Sequence, residues 1–165
     1  MIVGIIGAGT MGSGIAQAFA QVDGYEVRLC DINEEFAANG KLRITKTLEK
    51  RVAKGKMAKE DADRIIAKIK TGTKEICSDC DLIVEAAVEN VDIKRQTFRE
   101  LDKICKPECI FTTNTSSLSI TQIAAGLEHH VVGMHFFNPA PVMKLVEIIA
   151  GLNTPKEVAA VSYTH

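Results

Sequence analysis

The sequence predicts an α/β fold, a doubly wound and mostly parallel sheet in a single domain over residues 1–165. Short apolar, β-rich runs alternate with amphipathic helical stretches, and a glycine-rich turn joins the first run to the first helix. The length supports one core, and 46% apolar with 25% charged residues is the composition of an ordinary globular domain.

Taken in order, IVGII (residues 2–6) is a short apolar run of the kind buried on both faces of a parallel sheet, and it stops at Gly7-Ala8-Gly9-Thr10-Met11-Gly12. Met11, Ile15, Ala18, Phe19 and Val22 recur at helical spacing until Asp23-Gly24 interrupts them; Glu26 to Cys30 then reads as a second strand ending at Asp31. Asn33 to Lys54 reads as a long helix with Phe36, Gly40, Ile44, Leu48 and Val52 on one face. A further helix is expected from about Lys59 to Ile69, with Ile65, Ile66 and Ile69 inward, so a helical excursion fills about residues 33–70. DLIVEA (81–86), a helix with Ile93, Thr97, Leu101 and Ile104 in register, and IFTT (110–113) restore the alternation. Ser119-x-x-Gln122 opens a short helix that Gly126 closes, and HVVGMH (130–135) is the next strand. After a turn at Asn138-Pro139-Ala140-Pro141, VMKLVEII (142–149) supplies the last strand. Thr154, Pro155 and Glu157 mark a helix start just before the chain stops at His165, so the sequence reads as the first domain of something longer.

A net charge of −1 argues against nucleic-acid and membrane-surface partners, and no apolar run approaches the roughly 20 residues that span a bilayer. Five scattered cysteines and no leader-like N-terminus predict a reducing, cytoplasmic setting. Charge is uneven, however: Lys41 to Lys74 holds twelve basic and four acidic residues.

The glycine string gains meaning from its setting. It lies between a strand and a helix in a βαβ unit, and Asp31 stands nineteen positions beyond Gly12 at the end of the second strand. Gly7 permits the tight turn, Gly9 admits a pyrophosphate close to the backbone, and Gly12 lets helix lie against strand. Gly7, Gly9, Thr10, Met11 and Gly12 are therefore assigned to a dinucleotide at a positive helix end, which makes the fold Rossmann-type. Asp31 would accept the adenosine ribose hydroxyls and favour NAD over NADP, or else cap the next helix together with Glu34.

Oxidising a secondary alcohol with a nicotinamide needs a base, and histidine serves when a neighbour fixes its tautomer. His135 ends a predicted strand, and Glu147, twelve residues on, would meet it if the two strands fold back about residue 141. The alternative is a core histidine and an unrelated surface acid.

GAGTMGSGIAQAFA, VEAAVEN, NTSSLSI and above all GMHFFNPAPVMKLVEII resemble the L-3-hydroxyacyl-CoA dehydrogenase family, most closely its bacterial members that act on 3-hydroxybutyryl-CoA. The resemblance covers residues 1 to about 151. It implies hydride transfer between NAD and a short-chain (S)-3-hydroxyacyl-CoA such as 3-hydroxybutyryl-CoA, giving acetoacetyl-CoA. His135 and Glu147 match the family's catalytic pair and Ser116 its contact to the substrate oxygen. Glu89, Lys94, Ser116 and Asn138 match nicotinamide-side contacts, although the first two also read as solvated charges and the last as a turn former. Lys54, and more weakly Thr47, match contacts to the CoA moiety, which the basic block would steer or which it would ignore as a solvated face. The family's helical C-terminal domain, which completes the site and makes the homodimer, has no counterpart in these residues, so the chain is expected to be monomeric.

Two other functions remain open. A dinucleotide-binding module without chemistry would lack the substrate and dimerisation domain, and a lysine-base dehydrogenase would use Lys94. A zinc site at Cys77, Cys80, Cys105 and Cys109 is disfavoured by irregular spacing, and no metal is expected.

Overall fold

The structure is a computed structural model that describes residues 1–164; His165, the last residue of the predicted domain, lies outside them. Strands β1 (Ile2–Ile6), β2 (Glu26–Cys30), β3 (Ile69–Gly72), β4 (Leu82–Glu85), β5 (Ile110–Thr113), β6 (Val131–Phe136) and β7 (Val146–Ala150) form one sheet in the order β3-β2-β1-β4-β5-β6-β7. All neighbours are parallel except β6 and β7. The order reverses between β1 and β4, the switch point at which such sheets open a crevice at their strand ends.

Helices α1 (Thr10–Gln21), α2 (Glu34–Ala53) and α3 (Lys59–Ala67) cover one face of the sheet, where Val3, Ile5, Val27, Leu29, Leu82 and Val84 meet Ile15, Phe19, Ile44, Leu48 and Ile65. On the other face α4 (Val91–Leu101) and α5 (Ile120–Ala124) bring Phe98, Leu101, Ile120 and Ile123 against Ile6, Ile83, Phe111 and Val131. Residues alternate between these clusters along each strand, which is why β1 is apolar throughout and β4 is apolar up to Glu85. All five cysteines are buried in the second cluster, with the Cys30 and Cys77 sulfurs 3.4 Å apart. Helix α6 (Lys156–Thr164) lies along β6 and β7.

Several expectations need correction. Ile69 is buried in a strand and not at a helix end: α3 stops at Ala67, and the four residues from Ile69 pair with β2. Phe36 and Ile93 are exposed; of the predicted stripe on α4 Leu101 is buried as expected, but Lys94 and Phe98 are buried in place of Ile93 and Thr97. A lysine occupies the core face of α4 because a buried carboxylate receives it, a compensation that hydrophobic periodicity does not register. Val22 is exposed beyond α1, and β7 begins at Val146, since residues 142–145 make no ladder. The Thr154 hydroxyl donates to Val131 O and accepts from Gly151 N, tying β6 to the turn before α6.

Candidate active site

The carboxyl ends of β1, β2, β4, β5 and β6 gather the predicted site residues along one edge of the sheet. After β1 the chain turns at Gly7, whose φ of +98° suits glycine, and enters α1 at Gly9, which offers no side-chain cap. A Cβ on Gly7 would lie 2.8 Å from Ala86 O, and one on Gly12 would lie 1.7 Å from Gly7 O, whereas Gly9 faces open space. The first turn of α1 contains no acid. Uncapped N–H groups at a positive helix end beside an open glycine form a cradle for a phosphate, which is the fit that a dinucleotide requires.

Asp31 follows β2, and its carboxylate accepts from Ala8 N at 2.6 Å and from Ile32 N at 2.8 Å. It does not cap α2; Asn33 does, accepting from Phe36 N. Arg28, the residue that would have suited an added phosphate, is buried and spends its guanidinium on Glu26 and Asp79 at 3.2 and 3.1 Å.

β6 and β7 form the antiparallel pair that the symmetry about residue 141 requires, with His135 directly opposite Glu147. Glu147 Oε2 lies 2.8 Å from His135 Nδ1. Because a carboxylate only accepts, Nδ1 carries a proton, and in the neutral ring Nε2 then keeps the lone pair. Ser116, from the loop after β5, places Oγ 3.2 Å from Nε2 and donates to it. The three side chains form one line: Ser116, His135, Glu147.

Ser116 is seated by Glu89. That carboxylate accepts from Thr115 Oγ1 at 2.5 Å, Ser116 N at 3.0 Å and Ser117 N at 3.4 Å. Burial pushes the Glu89 carboxyl up, but these donors and the nearby Lys94 charge outweigh it and hold the group below the usual carboxylate range. Lys94 is neither solvated nor presented to a ligand. It is 0% exposed, bonded to Glu85 at 2.8 and 3.0 Å, with Glu89 at 3.7 Å, so it reaches the site only through Glu89 and is not placed to act as a base.

Asn138 is exposed after β6 and faces Thr10, Arg43 and Thr47 across a cleft of about 170 Å³ between α1 and α2. Thr47 bonds back to Arg43 O, and Lys54 stands exposed at the C-terminal end of α2, outside that lining. Three residues in this region escaped the sequence reading. Arg43 lines the cleft one turn before Thr47; Asn114 accepts from Phe136 N at 2.8 Å and so ties the serine loop to β6. Glu85 is the third, and its one sequence signal is an acid closing an otherwise apolar strand. Among the described residues no three His, Cys, Asp or Glu side chains are grouped to hold a metal, and no helix is long and apolar enough to cross a membrane.

A switch-point crevice, a glycine cradle and an acid at the end of β2 define a dinucleotide-binding domain of the doubly wound class. The chain belongs to the family described as 3-hydroxyacyl-CoA dehydrogenase, NAD binding domain, which matches residues 2–164, and NAD is its cofactor. It is 46% identical to a probable 3-hydroxybutyryl-CoA dehydrogenase of Bacillus subtilis, covering 94% of this chain and 55% of that one. It is 45% identical to a 3-hydroxybutyryl-CoA dehydrogenase of Clostridioides difficile, covering 94% and 56%. The crystal structure of (S)-3-hydroxybutyryl-CoA dehydrogenase from Ralstonia eutropha superposes with a TM-score of 0.92 at 40% identity, covering 99% of this chain and 58% of that one. The chain thus spans about half the length of these relatives.

Proposed function

We propose that this chain carries the hydride-transfer machinery of an NAD-dependent dehydrogenase acting on a short-chain (S)-3-hydroxyacyl-CoA such as 3-hydroxybutyryl-CoA. The observation that carries the reading is the line Ser116 Oγ, His135 Nε2, His135 Nδ1, Glu147 Oε2, with contacts of 3.2 and 2.8 Å. His135 Nε2 takes the proton of the substrate 3-hydroxyl as the C3–H bond breaks and the 3-ketone forms. Glu147 holds the required tautomer and stabilises the imidazolium that results. Ser116 gives the 3-oxygen a hydroxyl partner within reach of Nε2. When bound, NAD supplies the acceptor for the hydride leaving C3.

Gly7, Gly9, Thr10, Met11 and Gly12 receive the pyrophosphate, Asp31 the ribose hydroxyls, and Glu89 and Asn138 face the nicotinamide side. Thr47 and Lys54 lie toward the CoA moiety, with the basic block of α2 and α3 attracting its phosphates. The reading draws support from the relatives, which bear the names of 3-hydroxybutyryl-CoA dehydrogenases.

The test is NADH oxidation by the purified chain with acetoacetyl-CoA, beside its His135→Gln variant and an NADH-binding titration. Turnover abolished by His135→Gln with NADH affinity nearly unchanged is the expected outcome, and turnover retained in that variant overturns the assignment. A chain that binds NADH and turns nothing over is a cofactor-binding module without chemistry of its own.

A further inference from the structure

We propose that Glu85 is a positioning residue for the reaction: acting through Lys94 and Glu89, it sets the place of Ser116 against His135. The inference rests on the reading of Ser116 and His135 as the groups that meet the substrate oxygen.

Glu85 closes β4, is 0% exposed, and has every acceptor position in use. Oε1 takes Ala87 N at 2.7 Å and Lys94 Nζ at 3.0 Å; Oε2 takes Lys94 Nζ at 2.8 Å and the Thr113 hydroxyl at 2.6 Å. One carboxylate therefore joins the end of β4, the end of β5 and the first turn of α4, the elements that flank the serine loop. The Glu85 carbonyl adds a further tie, accepting from Asn114 N at 2.7 Å. A buried pair of this kind adds little net stability over an apolar pair of the same shape, yet it enforces one geometry.

The position of Lys94 matters most for Glu89. At 3.7 Å from Glu89 Oε2 the ammonium supplies charge without a hydrogen bond, so Glu89 Oε1 stays with Thr115, Ser116 and Ser117. Glu85 keeps it there by bonding both of its own oxygens to Nζ. With the Glu85 charge removed, Lys94 is left with Glu89 as its one carboxylate partner among these contacts. It then competes with the loop N–H groups for those oxygens, and Ser116 loses the anchor that holds Oγ 3.2 Å from Nε2.

The test compares the full chain with Glu85→Gln and with Glu85→Gln/Lys94→Met, which removes both charges and strands neither. NMR amide exchange of Ser116 and Ser117 is measured against Gly55 and Lys56, which are hydrogen-bonded in the turn after α2 and exchange by local opening. The expected result in Glu85→Gln is a loss of protection at Ser116 and Ser117 of about tenfold or more with Gly55 and Lys56 unchanged, and in the double variant, where no ammonium competes for Glu89, protection close to that of the unaltered chain. Unchanged protection at the two serines in folded Glu85→Gln overturns the inference, as does an equal loss in the double variant or at the control turn. If Glu85→Gln fails to fold, Glu85→Asp, which draws the carboxylate back from Lys94, takes its place in the comparison.

In Glu85→Gln kcat for acetoacetyl-CoA reduction falls while the KM for NADH holds, the split expected of a misplaced hydroxyl. A Ser116→Ala variant that retains full turnover would remove the catalytic reading of the serine and leave the exchange result to judge the positioning. If no sample turns over, the exchange result stands alone.

Discussion

Lys94→Met tests the buried pair by its energetics. The substitution keeps roughly the side-chain volume and removes the ammonium, leaving a fully buried Glu85 carboxylate with Ala87 N–H and the Thr113 hydroxyl as neutral donors and no cation in contact. Breaking a buried pair from one side costs about 3–5 kcal/mol, and Lys94→Met belongs in that range because nothing replaces the lost charge. Glu85→Gln is milder, about 2–3 kcal/mol, since the stranded ammonium has Glu89 3.7 Å away. The double variant is within about 1 kcal/mol of wild type, because neither ion is left alone. At about 2–4 °C per kcal/mol for a chain of this size, Lys94→Met lowers Tm by about 6–20 °C and the double variant by no more than about 4 °C. Calorimetric melts of the four proteins give the comparison directly. A Lys94→Met melt within about 3 °C of wild type, or a double variant less stable than either single one, would refute the reasoning.

Two further expectations concern the loop and the acid limb of stability. Gly12→Ala drives a methyl to 1.7 Å from Gly7 O, so the cradle must open, and NADH affinity measured by fluorescence titration falls at least about tenfold; unchanged affinity would separate the loop from the cofactor. Burial pushes the Asp102 carboxyl up, but the N–H groups of Glu128 and His129 and the His129 ring outweigh it and hold it below its ordinary value. The folded state therefore binds that proton more weakly than the unfolded one. Its stabilisation is complete above the unfolded value of about 3.9 and is lost as pH falls through the lower folded value. Asp102→Asn should accordingly cost about 1–3 kcal/mol in urea unfolding at about pH 7 and less at about pH 3, and an equal cost at both would count against the carboxylate.

Legibility in the sequence followed how local each constraint is. The glycine cradle is written in six adjacent residues, because a Cβ at Gly7 or Gly12 meets backbone whatever the rest of the chain does. The His135–Glu147 contact was legible from arithmetic, since a hairpin turning about residue 141 pairs positions equidistant from it. Ser116, by contrast, was legible only through the resemblance. Its approach to His135 depends on a loop after β5 meeting the end of a neighbouring strand, and nothing in the spacing of 116 and 135 states that. The failure on α4 comes from a limit of hydrophobic pattern, which cannot see a charge that is buried with its partner: it puts Ile93 inward and Lys94 outward because the counter-ion, Glu85, lies nine residues earlier on another element. The short edge strand at Ile69 is hidden for a different reason, its isoleucine continuing the spacing of α3 although the backbone has already turned to pair with β2.

The opposed placement of His135 and Glu147 also determines which changes of length the hairpin tolerates. Strand partners stay opposite one another only while their ladder is intact, and losing one residue within Val131–Phe136 or Val146–Ala150 would swing one member to the other face of the sheet. The start of the connecting loop is also constrained, because a Cβ on Gly14 would sit 3.4 Å from both Ala140 and Pro141, which holds that stretch against α1. Val142 N and Met143 N bond back to Pro139 O, whereas residues 144 and 145 make no ladder and are exposed. Insertions and deletions are therefore best admitted at that stretch, where the chain can lengthen or shorten while His135 and Glu147 stay opposite one another.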